Sequence, residues 1–185
     1  MIRSRRPRPG LAVPALLIAV VVSGFARTGR ADIFADIPGI PGESVSVLAP
    51  GQIDVRSIQF GSGRAASAIA KQKGSAACGV KAGPQIGQLV ITKGTDKASP
   101  KLFMAAAAGT RFPTVTITFF KDDPSGPTQY LKIKLTDALI DSISSAGASS
   151  DTPAENVSLS FASMETTYSK IGNPDETATA AFCVQ

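Results

Sequence analysis

The sequence predicts a mainly β domain, an antiparallel sandwich or barrel that carries one short helix. Three observations lead there. Apolar and polar residues alternate with a period of two over residues 114–119, 130–135 and 157–162, the pattern of strands with one buried face. Clusters of turn formers separate the runs, the densest being Asp122-Asp123-Pro124-Ser125-Gly126-Pro127. One segment, residues 99–109, has helix punctuation at both ends.

The first element is a leader. Arg3, Arg5, Arg6 and Arg8 precede an apolar run from Leu11 to Val22, and small residues follow at Ser23, Gly24, Ala26, Gly29 and Ala31. This is the order of a signal peptide, with cleavage after Ala26 or, preferably, after Ala31. The apolar run is shorter than the ~20 residues of a spanning helix and contains Pro14. The expected division is therefore 1–31 signal peptide and 32–185 a single domain. Losing residues 1–31 removes six Arg and no acid, leaving 13 basic against 14 acidic side chains, so the net charge moves from +5 to −1. The basic character belongs to the leader, and no nucleic-acid partner is expected. No membrane span is expected after cleavage, and the destination is periplasmic or extracellular.

In the 154 residues that remain, Ile33 to Ile37 forms a short strand ended by Pro38-Gly39 and Pro41-Gly42. A second short strand is expected from Val45 to Leu48, and a third from Ile53 to Phe60. Residues 61–86 are rich in Gly, Ala, Ser and Lys, an unusually long connection for a compact domain; a weak helical signal lies in 65–73. Leu89-Val90-Ile91 starts the next strand. The helix follows: Ser99 as N-cap, Pro100 at the first position, Lys101 to Ala108 as helix formers, and Gly109 as the left-handed terminator. At about nine residues it must be held by packing, for which Leu102, Phe103 and Met104 are the expected contacts. Residues 114–119 and 130–135 read as a hairpin, 139–143 as a separate strand, 157–168 as one strand, and 178–184 as the last.

Chemistry is sparse. The chain has no His, which removes the commonest general base and zinc ligand. There is no phosphate loop and no nucleophile elbow. Asp122 and Asp123 are adjacent carboxylates, but they lie in a turn that favours Asp for its local hydrogen bonds. No cofactor, metal site or catalytic residue is expected, so the chain is not read as an enzyme. Cys78 and Cys183 are the only cysteines. In an exported chain an even count suggests a disulfide, closing a loop worth about 4–5 kcal/mol in the entropy model; two separate buried thiols are the alternative.

Several motifs in order resemble those of the Hcp (haemolysin-coregulated protein) family, the tube proteins of type VI secretion. Residues 92–102, TKGTDKASPKL, resemble the stretch that enters the family's single helix, so Ser99, Pro100, Lys101, Leu102 and Gly109 mark the family's helix here. YLKIKL at 130–135, the Ser-rich segment 139–147, ENVSLSFA at 155–162 and GES at 42–44 match further motifs. The resemblance implies a two-sheet closed β-barrel with one flanking helix, homo-hexameric rings that stack into a tube, and a lumen for effector proteins. It also implies that the long loop, with Gly63, Arg64, Lys71, Lys73, Gly74 and Lys81, reaches a neighbouring subunit. Ile58 and Phe60 stand where the family usually carries Trp. A signal peptide departs from a family whose tubes assemble in the cytoplasm. The alternative function is thus an exported barrel of this kind, acting as an envelope or extracellular module without a contractile machine.

Overall fold

The computed structural model describes residues 31–63, 85–124, 126–147, 149 and 152–183. Among the described residues, ten strands and one helix follow in order: β1 (Ala31–Asp36), β2 (Ile53–Gln59), β3 (Ser62–Gly63), β4 (Gln85–Ile86), β5 (Leu89–Gly94), α1 (Ser99–Ala108), β6 (Arg111–Asp123), β7 (Gly126–Ala146), β8 (Ala154–Ser160), β9 (Ser163–Lys170) and β10 (Asn173–Cys183).

Eight of the strands form one antiparallel sheet in the order β10-β9-β7-β6-β1-β2-β5-β8, and a further pairing of β7 with β8 closes it. The closed part is a six-stranded barrel, β7-β6-β1-β2-β5-β8, with β9 and β10 continuing beyond it as a two-stranded wing. Closure removes the exposed edges that an open sheet would leave. The mainly β class, the closed barrel and the flanking helix at Ser99–Ala108 match the sequence expectation; the weak helical signal at 65–73 lies outside the described residues.

Period-two alternation explains the interior. In β6, Phe112, Val115, Ile117 and Phe119 are buried, while Thr114, Thr116 and Thr118 face the other way. Their partners Leu135, Ile133 and Leu131 on β7 extend the same layer. Ala35, Ile53, Val55, Leu89, Ile91, Ile140, Val157 and Leu159 complete one contiguous core, which Leu102 and Ala105 of α1 join.

Five local expectations are corrected. Residues 45–48 are not a strand: the chain from Gly42 to Gln52 folds into a tight loop. Gly42 N–H donates to Gly51 O, Gly51 N–H to Ser44 O, and Ser44 N–H to Gln52 O, at 2.8–3.0 Å. Val45 and Val47 project from it almost fully exposed. Residues 130–146 are one strand, not two. Asp137 adopts φ 51° there, and this bend lets one strand serve two neighbours: Leu131–Thr136 pairs with β9, and Leu139–Ala146 pairs with β8. The single strand expected over 157–168 is instead broken at Phe161 and Ala162 into β8 and β9. The last strand begins at Asn173, earlier than expected.

The fifth correction concerns α1. Ala98, not Ser99, occupies the N-cap, and no side chain caps it. Of the three apolar contacts expected, only Leu102 is buried; Phe103 is 42% exposed and Met104 73%. Helical spacing accounts for this, because positions 98, 102 and 105 share a face, while 103 and 104 point away from it. Gly109 does terminate the helix, at φ 60°. Its N–H donates to Ala106 O, and Thr110 N–H donates to Ala105 O, the paired bonds of a Schellman end.

Candidate functional site

The described residues hold one concentrated polar site, and it is buried. Lys93 lies in β5 on the same phase as Leu89 and Ile91, so its side chain enters the barrel interior and is fully buried. Its Nζ donates to Gly94 O at 2.7 Å, Glu155 Oε2 at 2.9 Å and Ser99 Oγ at 3.0 Å, and lies 2.8 Å from Asp96 Oδ1. Glu155, 1% exposed, stands directly opposite on β8. The Ser99 hydroxyl donates to its Oε2 at 2.7 Å and the Thr95 hydroxyl to its Oε1 at 3.1 Å. Burial pushes the Glu155 pKa up. The hydrogen bonds from Lys93, Ser99 and Thr95 and the Lys93 charge outweigh burial and leave the carboxyl below its ordinary value.

The node organises the entry to α1. Asp96 N–H donates to Ser99 Oγ at 3.1 Å, and Ala98 N–H donates to Asp96 Oδ1 at 2.9 Å. These bonds fix the turn that leads into α1; Ser99 N–H donates to Asp96 O at 3.0 Å, and Pro100 has no N–H to satisfy. Lys97 N–H reaches Glu43 Oε1 at 3.0 Å, and Lys101 Nζ reaches Gly39 O at 3.2 Å, so the turn after β1 is tied to the same corner.

A serine 3.0 Å from a lysine resembles a nucleophile and its base. Here, though, the Ser99 hydroxyl accepts from Lys93 Nζ and donates to Glu155 Oε2, so its proton is directed at the carboxylate and not at the lysine. Ser99 is 4% exposed, closed to a substrate. The node is structural. Among the described residues, no group of three or more His, Cys, Asp or Glu could hold a metal ion, and no helix is long and apolar enough to cross a membrane. Asp122 and Asp123, expected in a turn, are instead the last two residues of β6, paired with Pro127 and Gly126 beside the hairpin turn.

Of the residues singled out in the sequence, Ser99, Pro100, Lys101, Leu102 and Gly109 come together on α1. Gly63 lies in β3, which pairs with β4 through Ser62↔Ile86 and Gly63↔Gln85, so a two-stranded ribbon forms the root of the long loop. Arg64, Lys71, Lys73, Gly74, Cys78 and Lys81 lie outside the described residues. Cys183 ends β10. Sequence reading missed Lys93 and Glu155. The signal was available: each is a charge on the apolar phase of its own strand, with opposite signs.

Among the described residues, a closed antiparallel barrel with one short flanking helix and a buried polar site defines a closed β-barrel protein. The model of the family described as "Type VI secretion system effector, Hcp" matches residues 34–168, and the chain belongs to that family. Among curated proteins it is similar to Protein hcp1 of Pseudomonas aeruginosa, 36% identical over 81 residues, which is 43% of this chain and 50% of that protein. The match thus spans about half the length of that relative. Among solved structures it is similar to Hcp1 of Salmonella typhimurium, with 27% identity, TM-score 0.65, and 83% of this chain and 94% of that one covered. It is also similar to a type VI secretion system effector from Yersinia pestis, with 25% identity, TM-score 0.66 and coverage of 83% and 100%.

Proposed function

We propose that residues 32–185 act as a structural tube subunit of type VI secretion, assembling six to a ring with a lumen for effector proteins and contacts to other parts of that machine. The observation that carries this reading is the family match across 34–168 on a closed barrel. The long loop rooted in β3 and β4, with Gly63, Arg64, Lys71, Lys73, Gly74 and Lys81, is the proposed arm to a neighbouring subunit. Residues 1–31 are proposed as a cleaved signal peptide that delivers the barrel to the periplasm or beyond, and Cys78 and Cys183 as a disulfide formed there. The protein works without catalysis.

A second reading has a specific observation in its favour: the leader. Export separates the chain from the cytoplasm, where family tubes assemble, and an exported barrel acting as an envelope or extracellular module would follow. Light scattering after size exclusion of residues 32–185, with and without reductant, tests both. A hexamer is the expected result. A monomer under both conditions would overturn the tube reading and leave the second. A mass that changes with reductant would place the disulfide in control of assembly.

A further inference from the structure

Strand β8 closes the barrel, and its apolar pattern alone does not fix where it closes. In the observed register Leu89 faces Leu159, Ile91 faces Val157 and Lys93 faces Glu155. Because the pleat repeats every two residues, a slide by two keeps every side chain on its own face. One such slide would set Phe161 opposite Leu89 and Leu159 opposite Ile91, apolar against apolar as before. The β7 side tolerates it too. There Ile140 faces Leu159 and Ile143 faces Val157, and after the slide they would face Phe161 and Leu159. What the slide does not tolerate is the ion pair, since Lys93 would meet Val157 and Glu155 would meet Thr95. The opposite slide would set Glu155 against Ile91 and Lys93 against Pro153.

We infer that the buried Lys93–Glu155 pair is the register key of the closing strand, and that the same ammonium, through Asp96 and Ser99, keys the seat of α1 to that register. A buried ion pair is weak as a net stabiliser, because desolvation offsets its attraction. Its separation is costly, however, and this is the property a register device needs. The Thr92–Asn156 hydrogen bond, 2.8 Å on the outer face, marks the same register but is exposed to water and discriminates weakly. The inference is independent of whether the barrel forms rings.

The test is cross-strand disulfide trapping in the full chain, with linked peptides identified by mass spectrometry and Cys78 and Cys183 left in place. The variant T92C/N156C reports the observed register; T92C/S158C and T92C/A154C report the two slides. Cross-strand neighbours lie within disulfide reach. With Lys93 and Glu155 present, the 92–156 link should exceed the slipped links by roughly a hundredfold or more. In K93M/E155M, which should still fold, the slipped links should rise to within about tenfold of it. The exchanged pair K93E/E155K should restore the preference. A K93M/E155M chain that keeps the hundredfold preference would overturn the inference. So would one that fails to fold, because the pair would then be a plain stabiliser.

Discussion

Glu155 stands at the opposite end from a surface carboxylate in what its protonation does. Its pKa is lowered in the folded chain relative to an ordinary 4.5, so the folded state favours the charged form. The stability this contributes is fully present above the ordinary value and is lost as pH falls through the lowered one. Urea unfolding of the parent and of Glu155→Gln across pH 3 to 7 checks this. The variant should be weaker by about 3–5 kcal/mol near neutral pH, and the gap should narrow in acid. Gly42 makes a second residue-scale case. A Cβ at that position would overlap the Gln52 carbonyl and come within 2.5 Å of Ile53 Cα, and backbone cannot move aside as a side chain tip can. Gly42→Ala should cost about 1–3 kcal/mol in the same measurement, while Gly39→Ala, with open space around it, should fail only on its left-handed backbone.

At the scale of elements, the helix ends separate what the sequence shows from what it hides. Gly109 was legible because a left-handed terminator needs glycine; it adopts φ 60° with nothing within 4 Å of a Cβ. Gly109→Ala should therefore cost about 1–2 kcal/mol by backbone conformation alone, read as a lowered unfolding midpoint with unchanged slope. The N-terminal end was not legible. Ser99 has the right chemistry for a cap, but its hydroxyl serves Glu155, 56 positions along the chain, and no local pattern reveals such a partner. The strands divide in the same way. Alternation in β6 gave its buried face residue by residue. The continuity of β7 was hidden because Asp137 and the polar residues around it look like a turn, while the neighbours that hold it extended, β8 and β9, lie later in the sequence. Val45 and Val47 alternate like a strand, yet the ring of backbone bonds from Gly42 to Gln52 claims their segment first.

For the whole molecule, the mainly β class could be read from periodicity, which left sandwich and barrel open; the family resemblance pointed to the closed barrel, and strand order followed from neither. β1 lies between β2 and β6, and β8 lies between β5 and β7, arrangements set by pairings across many residues. The ion pair shows the same limit. Lys93 and Glu155 are each anomalous in their own strand, and only the closed barrel makes them neighbours. Assembly sits at this scale as well: Val45, Val47, Phe103 and Met104 are apolar side chains left exposed on the barrel and its helix, and the light-scattering measurement decides whether copies of the chain associate.

The position of β8 in the chain also has a consequence in time. Barrel closure waits for β8, Ala154–Ser160, and β1 waits for β6, whose paired residues lie 80 or more positions later in the chain. Contacts so remote in sequence form slowly. Until β8 has been made, the polypeptide therefore has no closed barrel to unravel. If the proposed leader directs export, that delay keeps the chain free of a closed barrel while it is threaded through a translocation pore.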